Sequence, residues 1–258
     1  FYICGATGEG VVMKPESRKA MASLTVNAVR GRGSVICHVG AVDLRTAVDL
    51  ARQASDAGVD AISSVPPFFY GYGEREIIQY YQALAEASRV PMLIYASPLA
   101  GTPITPALVN KLMQIKNIIG LKWTSPNYYE MRLIKELNNG DINVINGPDE
   151  TLLCGLAMGA DGGIGSTYNL MPSSFLELYN LAVERRWEEA RRVQDQINQV
   201  IAVLLRYPVH PAIKAILGWS GIACGVCVPP RRELTGIEQA GLRAALAATG
   251  IGRTFPGL

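Results

Sequence analysis

Short apolar, β-rich runs alternate with amphipathic helical stretches along most of this chain, and no other feature constrains its fold so strongly. The runs fall at residues 1–4, 34–39, 60–65, 91–96, 118–123, 142–146 and 162–165. Helix-like stretches at 15–29, 44–57, 74–88, 106–113 and 128–137 lie between them. Strand, helix and strand in strict succession make βαβ units and a parallel sheet. The repeat of roughly 25–30 residues is the scale of one such unit. A length of 258 residues suits a single (β/α)₈ TIM barrel.

Seven strands can be counted, and a closed barrel needs eight. The first run starts at residue 1 with no helix before it, so an absent N-terminal strand–helix unit is expected. A doubly wound open sheet is the competing architecture, which the strand count does not exclude. Beyond the last strand the pattern becomes helical, at 172–184, 187–205, 211–219 and 237–248, with Pro229 and Pro230 breaking the chain. The expected division is a barrel over 1–186 and a helical C-terminal extension, packed on it, over 187–258.

Composition narrows the function classes. With 49 % apolar and 18 % charged residues there is material for a core, which excludes a disordered or collagen-like chain. A net charge of +2 leaves no electrostatic footprint for nucleic acid or an anionic membrane. No apolar stretch approaches the roughly 20 residues that span a bilayer. Five cysteines, an odd number mostly in apolar runs, favour free thiols and a reducing, cytoplasmic compartment. The chain opens at Phe1 without a methionine, so a lost targeting segment stays open.

In a parallel α/β barrel the chemistry sits at the C-terminal ends of the strands. Lys122 is the unusual residue there, inside the apolar run Ile118-Ile119-Gly120-Leu121-Lys122-Trp123. Burial disfavours the ammonium form, and a free amine attacks a ketone to give a Schiff base. The plainer alternative is a lysine snorkelling out of the strand end to solvent or to a carboxylate. Tyr95 ends the preceding strand, about 4.8 Å away by strand spacing, where a phenol can shuttle protons. Its plainer alternative is a tyrosine capping the core with its hydroxyl in water. Gly5-Ala6-Thr7-Gly8-Glu9 is a glycine-flanked turn whose amides, with the Thr7 hydroxyl, suit an anion, or it is an ordinary βα turn.

The run Gly159-Ala160-Asp161-Gly162-Gly163-Ile164-Gly165-Ser166-Thr167 occupies a position that often holds phosphate. No lysine or arginine lies between Lys135 and Arg185, which argues against a phosphorylated substrate. Ser166, Asp149 and Glu150 suit neutral hydroxyls instead, or the acidic pair simply favours a helix dipole. Cys224 and Cys227 form a lone Cys-x-x-Cys, with His210 the only other candidate ligand, so no metal site is expected. His38 reads as a hydrogen-bonded barrel histidine rather than a general base, and two histidines in all make a Ser-His-Asp hydrolase unattractive.

Taken together these segments resemble the pyruvate-dependent class I aldolases related to N-acetylneuraminate lyase and dihydrodipicolinate synthase. Gly5-Ala6-Thr7-Gly8-Glu9 is similar to their Gly-Thr/Ser-Thr-Gly-Glu signature, and Tyr95 with Pro98 to their Tyr-x-x-Pro. Gly120-Leu121-Lys122-Trp123-Thr124-Ser125 resembles the Schiff-base segment of the lyase branch. Asn146-Gly147-Pro148-Asp149-Glu150 and 159–169 resemble its sugar-binding segments.

The resemblance implies a (β/α)₈ barrel in a homotetramer, with Lys122 forming the imine and Tyr95 shuttling protons. It implies that Ala6 and Thr7 hold a pyruvoyl carboxylate. Thr124, Gly147, Asp149, Glu150 and Ser166 would hold the hydroxyl-rich remainder of a sugar acid. The synthase branch carries an arginine after its Tyr-x-x-Pro; here the stretch is Pro98-Leu99-Ala100-Gly101, which disfavours a dicarboxylic partner.

The implied reaction is cleavage of N-acetylneuraminate to N-acetylmannosamine and pyruvate, as in sialic acid catabolism, with no metal or organic cofactor. A related aldolase or dehydratase acting on a 2-keto-3-deoxy sugar acid is the alternative, and a catalytically silent sugar-acid binder is a third. Two departures stand out. Ala6 replaces a hydroxyl residue. Phe69 stands where relatives place a tyrosine that enters the neighbouring subunit's proton relay, and Tyr70 is the expected substitute.

Overall fold

The computed structural model describes residues 1–257, apart from the side chain of Leu99; Leu258, the end of the expected extension, lies outside the described residues. The strands are β1 Tyr2–Ile3, β2 Ile36–His38, β3 Ala61–Ser64, β4 Met92–Ala96, β5 Ile118–Trp123, β6 Asn143–Asn146 and β7 Gly162–Gly163. Their order in the sheet is their order in the chain. A doubly wound sheet reverses direction at a switch point. This order never reverses, so the singly wound α/β reading holds and the doubly wound alternative falls.

By contacts the chain forms two units, 1–147 with 158–161 and 148–157 with 162 onward. In the first, β1 to β6 alternate with α1 Pro15–Val29, α2 Leu44–Asp56, α3 Glu74–Ala87, α4 Pro106–Leu112 and α5 Tyr128–Lys135. Sequence fixes most helix starts. The Asp43 side chain accepts from Thr46 N at 2.9 Å, Thr105 from Leu108 N at 3.2 Å and Asn127 from Glu130 N at 3.1 Å. Each satisfies an amide that the helix itself cannot pair. Strands β3 and β4 are buried along their whole length, which is why Met92-Leu93-Ile94-Tyr95-Ala96 of β4 runs apolar instead of alternating.

Two departures from the sequence pattern matter. β1 stops at Ile3 because Cys4 has φ +57°, a left-handed conformation that ends an extended strand. Between β4 and β5 the register slips: Met92 pairs with Ile118, but Leu93 pairs with Gly120. Ile119 is the extra residue of a bulge and is exposed. Gly120 then lets β6 approach, since a Cβ there would lie 2.0 Å from the Asn143 carbonyl oxygen.

The second unit holds α6 Leu152–Ala157, which follows the acidic pair Asp149-Glu150 as the helix-dipole alternative has it, and then β7. It continues with α7 Pro172–Val183, α8 Trp187–Leu204, α9 Val209–Trp219 and α10 Gly236–Ala247. Leu178, Ile197, Val200, Ile216, Leu242 and Leu246 form its core. Among the described residues no single helix is long and apolar enough to cross a membrane.

Candidate active site

The bulge at Ile119 is what seats the central pair. Beyond it, Tyr95 of β4 stands directly beside Lys122 of β5. Partners in a parallel sheet share a face, so the unslipped register would pair Tyr95 with Leu121 and turn Lys122 to the other side.

Lys122 is 7 % exposed, so its side chain does not extend into bulk solvent. Its Nζ lies 4.4 Å from the centroid of the Tyr95 ring and 5.1 Å from that of Tyr2. Two aromatic rings thus stand beside the amine, and such faces attract a cation. The Tyr2 and Tyr95 rings meet edge to face with centroids 6.1 Å apart. The Tyr2 phenol donates to Ser63 Oγ at 3.0 Å, and burial pushes its pKa well above the ordinary value. Tyr95 is buried as well, at 5 % exposed.

The turn after β1 is built from its own backbone. Glu9 N donates to Ala6 O and Gly10 N to Gly5 O, both at 3.2 Å. Gly10 is obligatory, because a Cβ there would lie 1.9 Å from the Cys4 carbonyl oxygen. Ala6 is exposed, Thr7 half-buried and Glu9 buried.

Behind this turn sits a polar bracket that the sequence reading largely missed. His38 is buried; its Nδ1 lies 3.1 Å from Cys4 O, and Val65 N donates to its Nε2 at 3.3 Å. Burial first, then the charges of Arg18 and Lys122, push its imidazole down to about 3. His38 is therefore neutral at physiological pH, in keeping with the hydrogen-bonded barrel histidine expected. Arg18 of α1 is buried too and donates to His38 O at 2.7 Å and Gly40 O at 2.9 Å. A hydrogen bond with Cys37, helped by the Arg18 charge, lowers the pKa of the Cys4 thiol. An arginine within an otherwise mixed helix is a weak sequence signal, and Tyr2 reads simply as one more apolar strand residue.

Past the Tyr95–Lys122 rung, a cavity of about 350 Å³ opens between the ends of β4 and β5. Ala96, Pro98, Thr102, Trp123, Thr124 and Glu130 are among its walls. Thr124 Oγ1 is buried with no hydrogen-bond partner among the described residues. Gly147 makes room for it, since a Cβ there would stand 2.1 Å from that oxygen.

In the second unit, Asp149 is buried and its Oδ2 accepts from both Thr167 N and Thr167 Oγ1 at 2.7 Å. Gly165 admits this carboxylate, as a Cβ would lie 1.4 Å from Asp149 Oδ1. Glu150 is exposed, and Ser166 is half-buried, its carbonyl accepting from Asn169 Nδ2 at 2.9 Å. Tyr70 is 63 % exposed and its ring lies edge to face with Phe69. Among the described residues no three His, Cys, Asp or Glu side chains gather as a metal site.

Residues 1–249 match the model of the dihydrodipicolinate synthetase family. The chain is 37 % identical over 246 residues to an N-acetylneuraminate lyase of Rhizobium meliloti, covering 95 % of this chain and 82 % of that protein. Among solved structures it is similar to the Proteus mirabilis N-acetylneuraminate lyase, with a TM-score of 0.91 at 29 % identity, over 97 % of this chain and 86 % of the other. It is also similar to the Ruminococcus gnavus sialic acid aldolase, with a TM-score of 0.91 at 30 % identity, over 95 % and 83 % of the two chains.

Proposed function

The chain belongs to the dihydrodipicolinate synthetase family, and from that membership we propose that it is a class I aldolase cleaving N-acetylneuraminate to N-acetylmannosamine and pyruvate. The observation that carries this reading is a buried amine, Lys122 Nζ, against the ring of Tyr95 at the end of a parallel strand. Lys122 Nζ adds to the C2 carbonyl, and loss of water leaves an iminium. Tyr95, assisted by the substrate carboxylate, takes the proton of the C4 hydroxyl. The C3–C4 bond breaks, and its electron pair moves into the iminium to give an enamine. Protonation at C3 and hydrolysis then release pyruvate and restore the amine.

In this reading Ala6 and Thr7, on the turn after β1, hold the carboxylate. The buried, unpartnered Thr124 hydroxyl supports a role in binding a sugar hydroxyl, with Gly147 giving it room. Asp149, Glu150 and Ser166 are assigned to the remaining hydroxyls on the order of the motifs. The seven strands belong to a (β/α)₈ plan, with residues 187 onward as its helical extension. The exposure of Tyr70 and Phe69 supports a homotetramer in which Tyr70 serves a neighbouring subunit.

Borohydride reduction in the presence of pyruvate tests the chemistry. A stable adduct on Lys122, absent from Lys122→Met, is expected; no adduct in the wild type overturns the reading. Turnover of N-acetylneuraminate well above that of unacetylated 2-keto-3-deoxy acids is expected, and the reverse would make the protein a keto-deoxy acid aldolase.

A further inference from the structure

We propose that His38 is a positioning residue for the keto-acid site, fixing where the carboxylate-binding turn begins and where the Tyr95 ring stands. The inference rests on the proposed function, which puts the substrate carboxylate on that turn. His38 closes β2 and meets three chain segments at once. Val65 N donates to its Nε2, so Nε2 carries the lone pair and Nδ1 the proton. That proton is donated to Cys4 O, 3.1 Å away, the last carbonyl before Gly5-Ala6-Thr7. The ring of His38 also stands edge to face with the Tyr95 ring, centroids 5.9 Å apart at 85°.

The bond to Cys4 lands where the backbone most needs holding. Cys4 has φ +57°, a conformation that is unfavourable for a residue with a side chain and persists only where neighbours enforce it. The imidazole is itself held from behind. Arg18 grips the carbonyls of His38 and Gly40, and a Cβ on Gly40 would come within 2.9 Å of His38 Nε2. Gly40 thus follows for a reason: the glycine leaves room for the ring, and its carbonyl anchors the arginine. Because the imidazole stays neutral at physiological pH, its donor and acceptor do not exchange roles as the site works.

The test separates this role from general support of the fold. His38→Phe keeps an aromatic edge toward Tyr95 but deletes both nitrogen bonds; His38→Gln keeps a donor and an acceptor. Borohydride trapping is measured against the concentration of pyruvate and of its uncharged methyl ester. In His38→Phe the half-saturating pyruvate concentration is expected to rise about 10-fold, the equivalent of roughly one charged hydrogen bond. That for the ester, which has no carboxylate to misplace, should shift by about 2-fold or less, and His38→Gln should recover most of the pyruvate affinity. Should His38→Phe fail to fold, His38→Asn takes its place in the same comparison. Equal shifts for acid and ester, or none, overturn the inference while leaving the aldolase reading intact. Wild-type protein that traps neither ligand overturns both.

Discussion

Two strand ends in this molecule are rich in glycine, and they use it in opposite ways. At Gly5–Gly10 the backbone folds onto itself: Gly10 sits where any side chain would meet the Cys4 carbonyl, and amides bond to carbonyls within the turn. At Gly163–Gly165 the glycines give way to side chains. Gly165 leaves room for the Asp149 carboxylate and Gly163 for the Tyr168 hydroxyl. Both segments invite the same reading as anion-binding loops. In the first, the shape of the main chain is the product. In the second, a carboxylate is already seated, with its Oδ2 held twice by Thr167, so the loop accommodates the protein's own anion.

That contrast breaks first at Gly10. Gly10→Ala should cost about 4 kcal/mol or prevent folding, because the obstruction is backbone and cannot swing aside. A urea midpoint close to the wild-type value would show that the turn relaxes freely. The second loop should fail by losing its carboxylate: Asp149→Ala removes an acceptor of two charge-assisted bonds, for an expected loss of about 3 kcal/mol. Asp149→Asn, which keeps an acceptor, should recover part of it, and equal losses for both variants would point to charge alone.

Acid sharpens the comparison at the first strand end. The folded pKa of His38 lies below its unfolded value of 6.5, at about 3. The unfolded chain therefore binds the extra proton. The stability is complete above pH 6.5 and is lost as pH falls from there toward 3, by about 1.4 kcal/mol per pH unit. Between pH 6.5 and 5 the wild type should lose about 2 kcal/mol more than His38→Phe, measured by urea unfolding. Parallel losses would mean that the imidazole is not buried as a neutral group. The smallest effect belongs to a glycine that does nothing special. A Cβ on Gly162 would meet open space, so Gly162→Ala should change stability by less than about 0.5 kcal/mol.

Much of the fold was legible because its signals are local. The alternation of runs located all seven strands, and the helix that opens at Pro15 and ends at Val29 was read to the residue. Lys122 and Tyr95 declared themselves as polar groups at the ends of apolar runs. The extent of the helix at Leu152–Ala157 was not legible because six residues seldom establish a period, although the acidic pair before it suits a helix N-terminus. Tyr2 was missed because a tyrosine in an apolar strand carries no mark of the lysine it will face.

The sequence by itself determined which segments are strands, which are helices and which residues stand at strand ends, since side-chain spacing and capping act over a few neighbours. Only the tertiary structure decided that Lys122 turns toward Tyr95, because a single exposed residue, Ile119, slips the register between two strands. It alone joined His38 to Cys4 and Asp149 to Thr167, across 34 and 18 positions of the chain. Contacts of that kind depend on how strands stack side by side, and the pairing is settled by which faces are buried across the sheet rather than within any one strand.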